Sequence, residues 1–263
     1  MRRLRGTLRV ILTVAEMTWR MNVMDSFILF GLLIQPLIIA TLALWILRER
    51  GGDYAIFVVV GSGMTGLWSS LLFVSGNSIT EERWHSTLEC LVGAPVDLGT
   101  IVFGKNLSSV LQSLASMVVA YLFAALLFGY ALRINHPVAF LVSLLLTVLS
   151  FIAFGMVIAP IFVINPDVQR WQNALEFPVY ILGGFLFPIA LLPFWSNPLS
   201  YVLAPYWAAR ALHASSSGNG DLSEMLLCWG MMIVVSIASL VLSRLLMVRV
   251  LHKARTDATL NMS

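Results

Sequence analysis

The chain has 263 residues, 59% of them apolar and only 11% charged, with a mean hydropathy of +0.89. Soluble domains carry about 25% charged residues, so this composition excludes an ordinary soluble fold and places the chain in a membrane. The formal net charge of +3 and basic pI do not indicate nucleic acid, because the arginines cluster at the two ends beside apolar runs, where they act as topology signals. Cys90 and Cys228 belong to no CxxC or Cys/His cluster, which gives neither a disulfide framework nor a zinc site.

Residues 1–25 begin M-R-R-L-R-G-T-L-R-V-I-L-T-V-A-E and resemble the start of a signal peptide. Glu16, Trp19 and Arg20 interrupt the apolar run and no small-x-small cleavage site follows, so the segment is expected to be retained. At 100° per residue Arg5, Arg9, Thr13, Glu16 and Arg20 share one stripe, with Leu4, Leu8, Ile11, Leu12, Ala15 and Trp19 on the adjacent arc. This predicts an amphipathic helix lying along the membrane surface.

Six runs reach the ~20 apolar residues that a membrane helix needs: 27–47, 54–75, 107–132, 138–164, 174–194 and 224–248. None alternates as a barrel strand would, so every span is expected to be helical and the fold all-α. Arg2, Arg3, Arg5, Arg9, Arg20, Arg83, Lys105, Arg170, Arg244, Arg249, Lys253 and Arg255 fall on one side of this topology. Only Arg48, Arg50, Arg133 and Arg210 fall on the other, which puts both termini and the loop after the second span in the cytoplasm. Gln35-Pro36 in the first span, Gly61, Gly63 and Gly66 in the second, and Gly155 with Pro160 in the fourth mark packing or kink sites.

Between the second and third spans lies a polar island, Glu81 to Lys105, whose charges cannot sit unpaired in hydrocarbon. Trp84, Leu88 and Leu91 recur at helical spacing and can seat a short helix. Glu81, Glu82, Arg83, His85 and Glu89 remain for polar contacts, and Ala94-Pro95 ends the helix. Glu81, His85 and Glu89 form an i, i+4, i+8 stripe that reads as a solvated docking face before it reads as a metal site. The fifth run, F-P-V-Y-I-L-G-G-F-L-F-P-I-A-L-L-P-F-W, carries three prolines and Gly183-Gly184 and is not expected to be straight. Residues 195–215 are apolar and aromatic but too broken to cross, so Trp195, Tyr201, Tyr206 and Trp207 are expected at the outer interface.

Enzyme chemistry finds no support: there is no H-E-x-x-H or G-x-S-x-G, and the four histidines lie apart. Gly99-x4-Gly104-Lys105 looks like a phosphate loop, yet Asn106 stands where Ser or Thr should hold magnesium and no strand precedes it. The sequon at Asn106 lies on the expected cytoplasmic side and carries no weight. Ionisable groups within the spans are scarce, Glu176 being the most buried candidate, which argues against an ion-coupled carrier.

Glu82-Arg83-Trp84-His85-Ser86-Thr87-Leu88-Glu89, then Leu91, Ala94-Pro95-Val96 and Gly104-Lys105, resembles the cytoplasmic segment of type-2 ATP-binding-cassette exporter permeases. Leu182-Gly183-Gly184-Phe185-Leu186-Phe187-Pro188 with Leu192-Pro193 is similar to that family's fifth-span pattern, and Ser86 stands where the family usually has Gly. The resemblance implies a single permease domain over residues 1–263, with an interface helix at 1–25, a coupling loop at 76–100 and an outer interfacial segment at 195–215. Through Glu81, Glu82, Arg83, Trp84, His85, Thr87, Leu88, Glu89 and Leu91 it would dock on a separate ATPase subunit, in two copies, that carries ATP and magnesium. This chain would bind no cofactor and would pair with a second permease chain, identical or homologous, in lipid, in a bacterial inner membrane. The first, second and fifth spans would line the path, with Gly183, Gly184, Pro188 and Pro193 in an outer gate. Phe27, Phe30, Trp68, Phe73, Phe177, Tyr180 and Phe185 offer rings and few charges, which favours export of a hydrophobic or amphipathic drug, antibiotic or lipid-like cargo. A polysaccharide exporter of the same family, an ATP-independent carrier and a non-transporting scaffold are the alternatives.

Overall fold

The structure is a computed structural model and describes residues 2–30, 34–47, 52–93, 96–128, 134–164, 168–185, 189, 192–217 and 221–257, among which there is no strand. Helix α1 (Arg2–Met24) is followed by α2 (Ser26–Leu29) and α3 (Gln35–Leu47), and α4 (Gly52–Ser70) continues as a π-helical turn (Leu71–Ser75) and a 3-10 turn (Gly76–Ser78). Two short helices, α5 (Thr80–Trp84) and α6 (Leu88–Gly93), lead into α7 (Leu98–Phe128), α8 (Pro137–Ile164) and α9 (Val168–Leu182). A 3-10 turn (Phe194–Ser196) then precedes α10 (Asn197–Val202), α11 (Ala204–Ser217) and α12 (Leu222–Asp257).

Among the described residues, four helical stretches are long and apolar enough to cross a membrane: Ile56–Ser78, Leu98–Phe123, Pro137–Val163 and Leu222–Val250. Of the first expected span the described residues form α2 and α3, and the fifth is not a single long helix, since α9 ends at Leu182. Proline withholds an N–H at Pro36, in the first turn of α3, and the apolar helix there is short, Gln35–Trp45. α9 stops because Gly184 adopts φ 67°, with Phe185 N–H donating to Tyr180 O at 3.3 Å and Gly184 N–H to Ile181 O at 3.1 Å. These two bonds satisfy carbonyls of the last turn and end the helix, as glycine in the left-handed region commonly does.

The second span is the core of the bundle, and Val58, Met64, Leu67, Trp68, Leu71 and Leu72 are essentially inaccessible. α3, α7 and α11 pack on α4, and α8 and α12 pack on each other and on α11. α11 enters this packing on small residues: Ala204, Ala208, Ala209 and Ala211 are fully buried. Tyr206 and Trp207, expected at an interface, are buried here with the Trp207 indole N–H donating to Tyr201 O at 2.9 Å, whereas Trp195 and Tyr201 are exposed. α7 begins at Leu98, well before the expected Leu107, so Gly99 to Lys105 are helical, and Asn106 and Ser108 of the apparent sequon are buried within the same helix.

The residues of α1 explain its seat on α7. Ala15, Thr18 and Asn22 are buried, Arg9 and Arg20 lie outside, and Arg20 pairs with Glu16 at 2.7 Å. Asn22 Nδ2 donates to Gln112 Oε1 at 2.8 Å and Gln112 Nε2 to Trp19 O at 3.2 Å. The apolar arc is divided: part faces α7, while Leu8, Leu12 and Trp19 stay exposed. Contact is closest at Gly104, where a Cβ would stand 2.9 Å from the Ile11 carbonyl oxygen. Backbone cannot step aside as a side chain can, so Gly104→Leu should separate α1 from α7 and cost about 1–3 kcal/mol. A lowered thermal midpoint in detergent checks this, with Gly6→Ala as the control, since nothing lies within 4 Å of a Cβ there.

Candidate functional site

Two polar constructions lie at the lower end and the side of the second span. The first is an elbow made by α5 and α6. The sequence predicts one helix from Glu81 to Leu91, and the structure corrects this: Ser86 adopts φ 58° and breaks it into two. Left-handed backbone crowds a Cβ, which is the physical reason that glycine would suit this position better than serine. The break takes Glu81, His85 and Glu89 off a single stripe.

Lys105 fixes the elbow. Its ammonium donates to Glu82 Oε1 at 2.7 Å and to Ser78 O at 2.9 Å, and lies 3.9 Å from Glu81. Thr87 Oγ1 donates to the Glu82 carboxylate and its N–H donates to Glu82 O at 2.9 Å, closing the turn. The Gly-Lys pair of the apparent phosphate loop is thus structural, Gly104 admitting α1 and Lys105 pinning α5. Leu91 packs on a small cluster with Ile79, Leu98, Val102 and Met247, while Trp84 is 61% exposed and His85 and Thr87 are exposed. The side chains of Arg83, Leu88 and Glu89, like Ala94 and Pro95, lie outside the described residues.

Adjacent glutamates are shifted in opposite senses. Burial raises Glu81, with Lys105 offsetting only part and Glu82 adding to the rise. Burial would raise Glu82 too, but hydrogen bonds from Lys105 and Thr87 and the lysine charge outweigh it and lower its pKa. A lowered folded pKa means that Glu82 stabilises the fold above the ordinary carboxylate range and loses this as pH falls through the lowered value. Glu81 has the reverse sign, its contribution being present at low pH and lost as pH rises through its raised value.

The second construction is a cavity of about 370 Å³ lined by residues of the first, second and fifth runs, among them Phe30, Gln35, Ser69, Phe73, Asn173 and Glu176. Glu176 Oε1 accepts from Gln35 Nε2 at 3.1 Å, Ser69 Oγ at 3.0 Å and Tyr180 OH at 2.9 Å, and the two hydroxyls are themselves 2.6 Å apart. One turn before Glu176, buried Gln172 donates through Nε2 to Leu72 O at 2.9 Å and Asn77 Oδ1 at 2.7 Å. Gln172, Glu176 and Tyr180, at i, i+4 and i+8, therefore form one polar seam between α9 and the second span.

Of the aromatic residues expected on a path, Phe30 and Phe73 line this cavity. Tyr180 holds Glu176 in place and Phe177 is exposed beside it, edge-on at 5.7 Å. Trp68 and Phe185 are buried packing residues, Trp68 lying 6.0 Å from Phe154 and Phe185 5.9 Å from Tyr180. The side chain of Phe27 lies outside the described residues. Gln35, Ser69, Ser70, Gln169 and Asn173 were missed as cavity residues, since only Gln35 and Glu176 stood out in the sequence, and these are far apart in it. Of the residues expected in an outer gate, Gly183 is buried with no room for a Cβ, Gly184 ends α9 and Pro193 is exposed, while Pro188 lies outside the described residues.

A helical bundle with several apolar helices of membrane length, buried about its second span, defines a multi-pass membrane protein. The family model described as ABC-2 type transporter matches residues 10–216, and the chain belongs to that family. Membership makes it a permease component and implies pairing with an ATPase subunit. No curated protein matches the chain.

Glu82→Gln and Lys105→Met should each speed hydrogen exchange of the amides from Ile79 to Trp84 by about 10- to 100-fold, the worth of a charge-assisted bond. Glu81→Gln should leave exchange unchanged or slow it, and acidification of the wild type to below the ordinary carboxylate range, through the lowered pKa of Glu82, should reproduce Glu82→Gln. Ser86→Gly should relieve the left-handed turn by about 1 kcal/mol, slowing exchange in the same segment.

Proposed function

We propose that the chain is the permease of an ATP-driven exporter of amphipathic molecules, working as a dimer with two ATPase subunits on its cytoplasmic face. The observation that carries this reading is Trp84, 61% exposed on a helix that Lys105 holds in place at the end of the buried second span. A large aromatic side chain displayed from a pinned helix is suited to be an anchor in a partner's groove. His85, Thr87 and Glu89 would supply polar contacts around it, with Arg83, Leu88 and Leu91 completing the elbow.

Family membership supplies the ATPase, and the arginine asymmetry favours both termini inside a bacterial inner membrane, with α1 along the surface. The first and fifth runs, the latter although broken, complete six passes in this reading, and Gly183 to Trp195 forms an outer gate. Dimerisation is supported by Gln169 and Asn173, which are exposed beside the cavity and are poorly suited to face lipid. A second copy would cover them. The whole chain then acts as one permease domain, whose own role is binding and movement.

Co-expression with its ATPase and reconstitution in vesicles tests the reading. Nucleotide hydrolysis should co-purify with the chain and drive export, and Trp84→Ala should reduce coupled turnover about tenfold while leaving thermal stability unchanged. Transport that survives ATP depletion, or coupling indifferent to Trp84, would overturn it.

A further inference from the structure

The geometry points to Glu176 as the recognition group for a protonated amine on an amphipathic cargo, held in the cavity between the first, second and fifth runs. This rests on the permease reading and names the chemistry of its substrate. Glu176 is 7% exposed and lines the cavity, in which Ile28, Phe30, Phe73 and Val74 supply apolar surface. Three neutral donors converge on Oε1. Among the described residues nothing donates to Oε2 and no cation pairs with the carboxylate.

Neutral donors orient a carboxylate without cancelling its charge, and a buried carboxylate is costly until a cation reaches it. Gln35, Ser69 and Tyr180 fix the side chain from three elements, so the free oxygen is held in position before a ligand arrives, as preorganised sites require. A primary ammonium meets this need with a charge-assisted N–H···O bond. Phe30 and Phe73, which line the same cavity, would accept the apolar body of such a cargo. A volume of about 370 Å³ is within the size of small-molecule pockets. One carboxylate among neutral amides lacks the ligand set of a divalent ion, and no grouping of three His, Cys, Asp or Glu that could hold one occurs among the described residues.

The test uses two fluorescent probes of equal shape, 1-pyrenemethylamine and 1-pyrenemethanol. Each is titrated at neutral pH into the full chain in phosphatidylcholine nanodiscs and read by quenching of tryptophan emission, with empty nanodiscs subtracted. The amine should bind saturably and at least about tenfold more tightly than the alcohol, as a charge-assisted bond predicts. Glu176→Gln should bring the amine to the affinity of the alcohol and leave the alcohol within about twofold. Equal affinities in the wild type, discrimination that survives Glu176→Gln, or saturable binding of neither probe would overturn the inference. The wild-type comparison decides without any variant, so a poorly folding Glu176→Gln does not remove the test. Equal affinities would leave ATP-coupled export untouched, whereas selective amine binding without ATP coupling would count for the site and against the permease.

Discussion

The structure depends on how the C-terminal end of the second span is held where its backbone leaves α geometry. From Leu71 to Ser78 the hydrogen-bond spacing passes from α to π and then to 3-10. Here, in a largely buried segment, the Leu72 carbonyl accepts from Gln172 and the Ser78 carbonyl from Lys105. Irregular backbone at membrane depth survives only when neighbouring protein satisfies its polar groups. Two side chains from two other helices do so, and each also reaches a further polar partner, Asn77 or Glu82.

These ties give the molecule a continuous mechanical connection. Lys105 joins α7 to the elbow, and the elbow is the direct continuation of the second span. Gln172 joins that span to α9, and one turn further along α9 stands Glu176. A push on the elbow in the proposed cycle would therefore reach the cavity through buried hydrogen bonds as well as through packing. The π-helical turn is the natural place for such a rod to yield, because its spacing is intermediate between better-bonded arrangements and π turns gather at functional sites.

The fifth run is the counterpart of this rigid connection. α9 ends at Gly184 by a closed glycine motif, and the chain re-enters the bundle as α11, whose alanines let α4, α8 and α12 approach it closely. His213 of α11 stacks on Phe57 at 3.8 Å and contacts the Phe185 carbonyl at 3.1 Å, tying the broken segment to the N-terminal end of the second span. The same central helix thus anchors the elbow at one end and the broken segment at the other.

The sequence by itself determined that the chain is helical and belongs in a membrane, because apolar runs of membrane length leave the backbone no other way to satisfy its hydrogen bonds. It also disclosed the break after the fifth run through Gly183-Gly184 and the prolines, and the elbow through its density of charge. Those signals are local, so they survive in one dimension. The split at Ser86 was visible only as a departure from a family pattern, since φ is not written in residue type. Tertiary structure alone decided that Lys105 is an anchor, that Trp68 and Phe185 are packing residues, and that Gln35, Ser69 and Tyr180 meet at Glu176. Gln35 and Glu176 are 141 residues apart. Such a meeting follows from how helices pack, and periodicity within one helix identifies a face without naming what the face will touch.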